Sequence, residues 1–161
     1  MSKSSVCASV VAILSVIPAI VLAQASGAPP SDFEGRWHGI GIEAAPWSRS
    51  SAGPDRSAAE SRVLAGIVMT AGGFIGLSPF GCAQPRYTVV TVPPEGLFQG
   101  ALAGRDAADD ADRMGFPEGE ISTLRVDCPN ASFDVHLAGK STIKVAIDNF
   151  IYTFDRVAAK R

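Results

Sequence analysis

The chain has 161 residues, with 14 Lys+Arg against 16 Asp+Glu, two His and three cysteines. No basic surplus is available to neutralise phosphates, so nucleic acid is excluded as an expected partner. The stretch from residue 26 onward suits one domain and is long enough to bury a real core.

The first residues read as a processing signal. Lys3 gives a basic start, Val6 to Leu22 is almost unbroken apolar sequence, and Ala23-Gln24-Ala25 supplies an A-x-A cleavage site. Pro18 interrupts the run and small residues follow it directly, which favours cleavage after Ala25 over an uncleaved anchor. Cleavage removes Lys3 and no acid, leaving 13 Lys+Arg against 16 Asp+Glu, a formal charge of −3, and no stable membrane span. The expected location is periplasmic or extracellular. Cys7 leaves with the signal, and Cys82 and Cys128 remain in an oxidising setting, where a single disulfide is the natural pairing and two separate thiols the alternative. Two distant cysteines and two histidines lack the close-spaced pairs of a zinc site, so no metal or other cofactor is expected.

Residues 26–31 form a short flexible leader to a domain spanning 32–161. Phe33 to Ile42 reads as a first strand whose Gly35, Gly39 and Gly41 permit bulges and bending. Ala45 to Ser61, rich in Pro, Gly and Ser, reads as a long loop with a helical turn near Ala58. Arg62 to Thr70 and Phe74 to Phe80 flank Ala71-Gly72-Gly73 as a hairpin, with Val63 to Met69 a strand buried on both faces. Arg86 to Val92 is a β-branched strand bounded by prolines. Gly96 to Gly104 reads as a further short strand, and Asp106 to Met114 as a helix ended by Gly115 and Pro117.

The last third alternates cleanly. Leu124, Val126 and Cys128 share one face; Phe133, Val135 and Leu137 oppose Asp134 and His136; Ile143, Val145 and Ile147 repeat the pattern before a final strand, Phe150 to Val157. Turns fall near Ala138-Gly139-Lys140 and at Asp148-Asn149, the latter of the type I′ kind. About eight antiparallel strands with one short helix predict an all-β, up-and-down barrel, with a compact β-sandwich as the alternative.

Phe33 with Gly35-Arg36-Trp37, followed by a long loop, resembles the G-x-W first-strand signature of lipocalins and the wider calycin group. Arg156 in the last strand occupies the place of the arginine that packs over that tryptophan in the family. The resemblance implies a small barrel with Gly35, Trp37 and Arg156 as its structural signature, and the Arg156 guanidinium over the Trp37 ring at a closed end. Two features depart from the family: there is no middle-loop "TDY" signature, and Asp106 to Met114 would be an insertion.

Ala138 to Thr142, "AGKST", lacks the upstream glycine of a phosphate loop, since Asp134 stands there, and leads into a strand. His38 and His136 could meet an acid such as Asp134 in a general-base site, but no nucleophile elbow accompanies them, and strand histidines are more often exposed or locally hydrogen-bonded. The acids of Asp106 to Asp112 lack the spacing of a calcium loop and read as a charged helix face. Asn130-Ala131-Ser132 is a formal glycosylation sequon. Trp47, in a loop of small polar residues, and Phe98 are the candidate ligand contacts; the competing reading of Trp47 is a lid folded back over its own barrel. No catalytic residue emerges. The expected function is an exported, non-enzymatic binding protein with an apolar barrel mouth for a small hydrophobic ligand. The alternative is a module that binds an exported protein, such as a hydrolase inhibitor, and an enzyme of unknown reaction comes third. Interior volume separates the first two: carriage needs an open apolar cavity, whereas a protein-binding module can have a filled core.

Overall fold

Apolar and polar residues alternate along strand after strand of this chain, and in its computed structural model that pattern produces one continuous curled sheet. The structure describes residues 27–48, 56–104 and 106–158. The expected signal and residues 49–55 of the expected loop lie outside them.

Among the described residues nine antiparallel strands, β1 (Gly35–Ala44), β2 (Ile67–Thr70), β3 (Gly73–Gly76), β4 (Cys82–Ala83), β5 (Arg86–Val92), β6 (Ile121–Cys128), β7 (Ala131–Leu137), β8 (Thr142–Ile147) and β9 (Phe150–Arg156), follow one another. Their order in the sheet is β4-β3-β2-β1-β9-β8-β7-β6-β5, an up-and-down meander in which the first and last long strands pair. The sheet curls into a half-barrel. Its edge strands β4 and β5 are not laddered to each other; instead the Cys82–Cys128 disulfide ties β4 to the end of β6. The Tyr87 hydroxyl, from β5, bonds the Thr70 and Gly73 carbonyls at the β2–β3 turn, 3.2 and 3.1 Å away. A single continuous sheet leaves no place for the sandwich alternative.

The concave face carries the larger core. Trp37, Tyr152, Phe33, Phe74 and Phe154 fill it together with Ile67, Met69, Leu124 and the inward residues of β7 and β8. Register explains the selection: Trp37 lies opposite both Ile67 and Arg156, and Ile143 opposite Phe154, so the inward residues stack across strands. A register shift between Gly39 and Gly41 bends β1.

Several segments differ from what periodicity predicts. Arg62 to Ala65 belongs to helix α1 (Arg56–Ala65), not to a strand. Gly66, at φ +64, ends the helix by donating its N–H to the Val63 carbonyl, and only Ile67 onward is extended. The strand expected at Gly96 to Gly104 is instead a tight turn, α2 (Leu97–Gly100), after a 3₁₀ turn at Pro94–Gly96. Within α2, Phe98 (φ 52, ψ 45) and Gln99 (φ 60, ψ 35) are left-handed, so the chain reverses there where a strand would continue. Helix α3 (Ala107–Arg113) falls where expected, with Asp110 buried and paired to Arg113. At Asp148-Asn149 only Asp148 has positive φ, so the link is not a type I′ turn.

The second core lies on the opposite, convex side of the sheet. Leu97, Phe98, Leu102, Ala107, Met114 and Phe116 pack over Ile121 and Ile151, with Ala45 and Trp47 beside them. The segment between β5 and β6 is thus a cover laid across the outside of β6 to β9, and each of these strands is buried on both faces over part of its length.

Candidate functional site

His136 illustrates why the cover sits where it does. It points out of β7 toward the convex side and is fully buried beneath α2. The Phe98 N–H donates to His136 Nε2 at 3.0 Å. That leaves the ring proton on Nδ1, which donates to Thr123 Oγ1 at 2.8 Å, and the Thr123 hydroxyl passes on to the Ile121 carbonyl at 3.3 Å. Burial pushes the imidazole down to about 4, Asp134 pulling it the other way and Arg125 adding to the depression. It is therefore a neutral acceptor at ordinary pH, and it pins the left-handed turn through the main-chain N–H of Phe98.

The pinned turn places Phe98 at the centre of an aromatic cluster. Its ring centroid lies 5.3 Å from Trp47, 4.8 Å from His136 and 5.9 Å from Phe116. Tilted and edge-on aromatic pairs at such distances add to simple burial. Trp47 and Phe98, the two candidate contacts, are brought together, but on the convex side of the sheet and not over its interior. Trp47 stays partly buried while Phe98 is almost covered.

Beside this pair the sheet is open. β7 and β8 are laddered only at His136↔Lys144 and Leu137↔Ile143, with the Ala138 N–H on the Thr142 carbonyl closing the turn. Beyond Lys144 the two strands diverge around a cleft of about 300 Å³. Phe80, Phe133 and Ile147 reach it from the concave core, and Trp47, Phe98 and Ala146 from the convex one. The cleft is a slot in the wall of the half-barrel.

Two acids border the slot, and each already has a cation. Asp134 accepts a bidentate pair from Arg125 at 3.0 and 3.2 Å, with its carboxylate almost wholly buried. Asp148 accepts from Arg62 at 2.9 Å while remaining largely exposed, and Arg62 also donates to the Tyr152 hydroxyl.

The remaining candidates fall elsewhere. Arg156 lies over Trp37, its guanidinium carbon 4.4 Å from the ring centroid, and donates to the Ser31, Asp32 and Glu34 carbonyls. Trp37 in turn donates its indole N–H to the Phe33 carbonyl at 2.9 Å. Gly35, at φ +125, passes beneath Arg156, where an added Cβ would lie 3.8 Å from Nη1, in ordinary van der Waals contact. His38, exposed on β1, is separated from His136 by strands β9 and β8, so the two histidines do not meet. Sequence reasoning missed Gln99, whose amide reaches the Ser132 carbonyl at 3.4 Å, and the edge of β8 at Ala146. Pro93-Pro94, Gly96 and Gly100 are the sequence signals of a turn there.

Compared with protein-family models, with curated proteins and with solved structures, the chain matches none.

Proposed function

We propose that this chain is an exported, non-enzymatic binding module whose partner is a protein, of the kind a secreted hydrolase inhibitor exemplifies, and that it docks through the Trp47 and Phe98 face. The single observation that supports this over carriage of a small hydrophobic molecule is the filling of the concave face. Trp37, Tyr152, Phe33, Phe74 and Phe154 are all at most 2% exposed, and a carrier needs open apolar volume where these rings stand. The stack of Arg156 on Trp37 supports the lipocalin-like resemblance in architecture, while the packed interior argues against the carrier role that resemblance suggests. A partly buried tryptophan backed by a buried phenylalanine is also the type of anchor on which protein interfaces concentrate their energy.

Native mass spectrometry of the protein isolated from its host compartment tests the proposal. The expected species is a complex of fixed stoichiometry with a second protein, lost in the Trp47→Ala variant. A chain that carries a lipid or other small hydrophobic molecule, with no protein partner, refutes it.

A further inference from the structure

In an antiparallel sheet, alternate residues of a strand direct both main-chain groups toward the same neighbour. The Ala138 N–H bonds the Thr142 carbonyl across the β7–β8 turn, and the Arg156 N–H bonds the Ser141 carbonyl on the β9 side. Thr142, Lys144 and Ala146 therefore present N–H and C=O toward β7, and Ala138, His136, Asp134 and Ser132 present theirs toward β8. The ladder uses His136 and Lys144 and then stops. The Ala146 N–H and the Asp134 carbonyl, which would make the next bond, do not meet. The Ser132 carbonyl, further along the same edge, is taken by the Gln99 side chain. The slot thus combines main-chain hydrogen-bonding groups of an interrupted ladder with a wall of aromatic rings.

From this combination we infer that the slot between β7 and β8 is a recognition site for one extended residue of a partner protein. The large apolar side chain of that residue seats against Trp47 and Phe98, and its main-chain amide pairs with the free edge of β8 at Ala146. The inference rests on the proposed function and names the chemistry its site recognises. Three observations choose this occupant. Main-chain groups at a strand edge are matched by another peptide's amide, and flanking pockets then select its side chain. A volume of about 300 Å³ sits at the lower end of ligand clefts, roughly 300 to 1,000 Å³, and so suits one residue better than a lipid. Asp134 and Asp148 are already paired to Arg125 and Arg62, so the slot does not call for a cation.

Amide hydrogen exchange on the intact protein decides the matter. In the free protein the Ala146 N–H should exchange at least a hundredfold faster than that of Lys144, which the ladder holds; equal protection means a closed ladder and overturns the inference. Saturating N-acetyl-phenylalanine methylamide should slow Ala146 exchange at least tenfold and shift the Trp47 indole signal. Ethylbenzene, which has the ring without the amides, should leave Ala146 exchange unchanged. Trp47→Ala, whose exchange pattern over β6 to β9 reports an intact fold, should lose the effect of the peptide probe. No slowing by the peptide probe, or equal slowing by ethylbenzene, overturns the assignment. A protein partner that binds without slowing Ala146 overturns this site and leaves the proposed function standing, whereas a chain found with a lipid and no partner overturns both.

Discussion

Acidification should unfasten the cover from the sheet, because the one histidine beneath it must stay neutral to accept the Phe98 N–H. In the unfolded chain His136 takes a proton below its ordinary value of 6.5, whereas the folded protein refuses that proton until about 4. Across this window unfolding takes up a proton, so stability is fully present above about pH 6.5 and is lost as pH falls toward 4. A gap of about 2.5 units at 1.36 kcal/mol each sets the full loss near 3 kcal/mol, of which about 2 kcal/mol is gone by pH 5. No solvent discount applies, since the ring is fully buried. Urea denaturation of the wild type and His136→Gln at pH 7.5 and pH 5 isolates this contribution. The variant is less stable at pH 7.5 because a flexible amide replaces the rigid ring that bridges Phe98 and Thr123, but its stability should fall with pH by about 2 kcal/mol less than that of the wild type. Carboxylates that titrate over the same range cancel in the comparison. Parallel behaviour of the two proteins, or an imidazole that titrates near 6.5 in the folded state by NMR, would refute the reasoning.

Arg156→Lys should destabilise the protein by about 1 to 2 kcal/mol in chemical denaturation, since an ammonium replaces the planar group over Trp37 and cannot hold the three carbonyls of the entering chain together; an unchanged midpoint removes the stack from the account of the fold. Replacing Cys82 and Cys128 together by serine opens a cross-link with a sequence separation of 46 residues. The chain-entropy estimate of about 4 kcal/mol should appear as a large drop in Tm by calorimetry, and a shift of only a degree or two contradicts the disulfide as the clasp between β4 and β6. Gly39→Ala would put a Cβ 2.3 Å from the Val63 carbonyl oxygen. Helix α1 must then lift from β1, at a cost of about 1 to 3 kcal/mol, and a variant as stable as the wild type would show that the helix does not pack there in solution.

The meander was legible because its signal is local. Phe133, Val135 and Leu137 against Asp134 and His136, or Ile143, Val145 and Ile147 against their neighbours, announce both the strand and its inward face, and the concave core takes these residues. The same alternation misleads about the other face. Asp134 and His136 read as solvent-facing, yet both are buried, because the segment between β5 and β6 returns across the convex side. Nothing in β7 encodes that return; it is carried by Leu97, Leu102, Met114 and Phe116, scattered through a stretch with no period. At α1 the error has a different source. Val63 and Leu64 look like the start of a β run, but Gly66 at positive φ closes a helix in front of Ile67, and a lone glycine between apolar residues also reads as a bulge. At the site itself, Trp47 and Phe98 could be singled out as large aromatics in irregular sequence, but their meeting depends on a left-handed turn that non-glycine residues rarely adopt.

That turn and the broken ladder occupy the same place, and their coincidence carries the functional argument one step further. Left-handed Phe98 and Gln99 cost roughly 1 kcal/mol or more each, and the slot they border forgoes the hydrogen bonds that Asp134 and Ala146 could have exchanged. A sequence selected only for folding would relax either expense: glycine at position 99 would ease the turn, and closure of β7 on β8 would restore the ladder. Instead His136 is buried neutral to hold the turn, and the Gln99 amide spans the opening to Ser132. Departures from local rules that are supported by neighbouring groups mark the places where a protein spends stability on something other than folding. Here they converge on a slot whose aromatic wall and free strand edge are both suited to another chain.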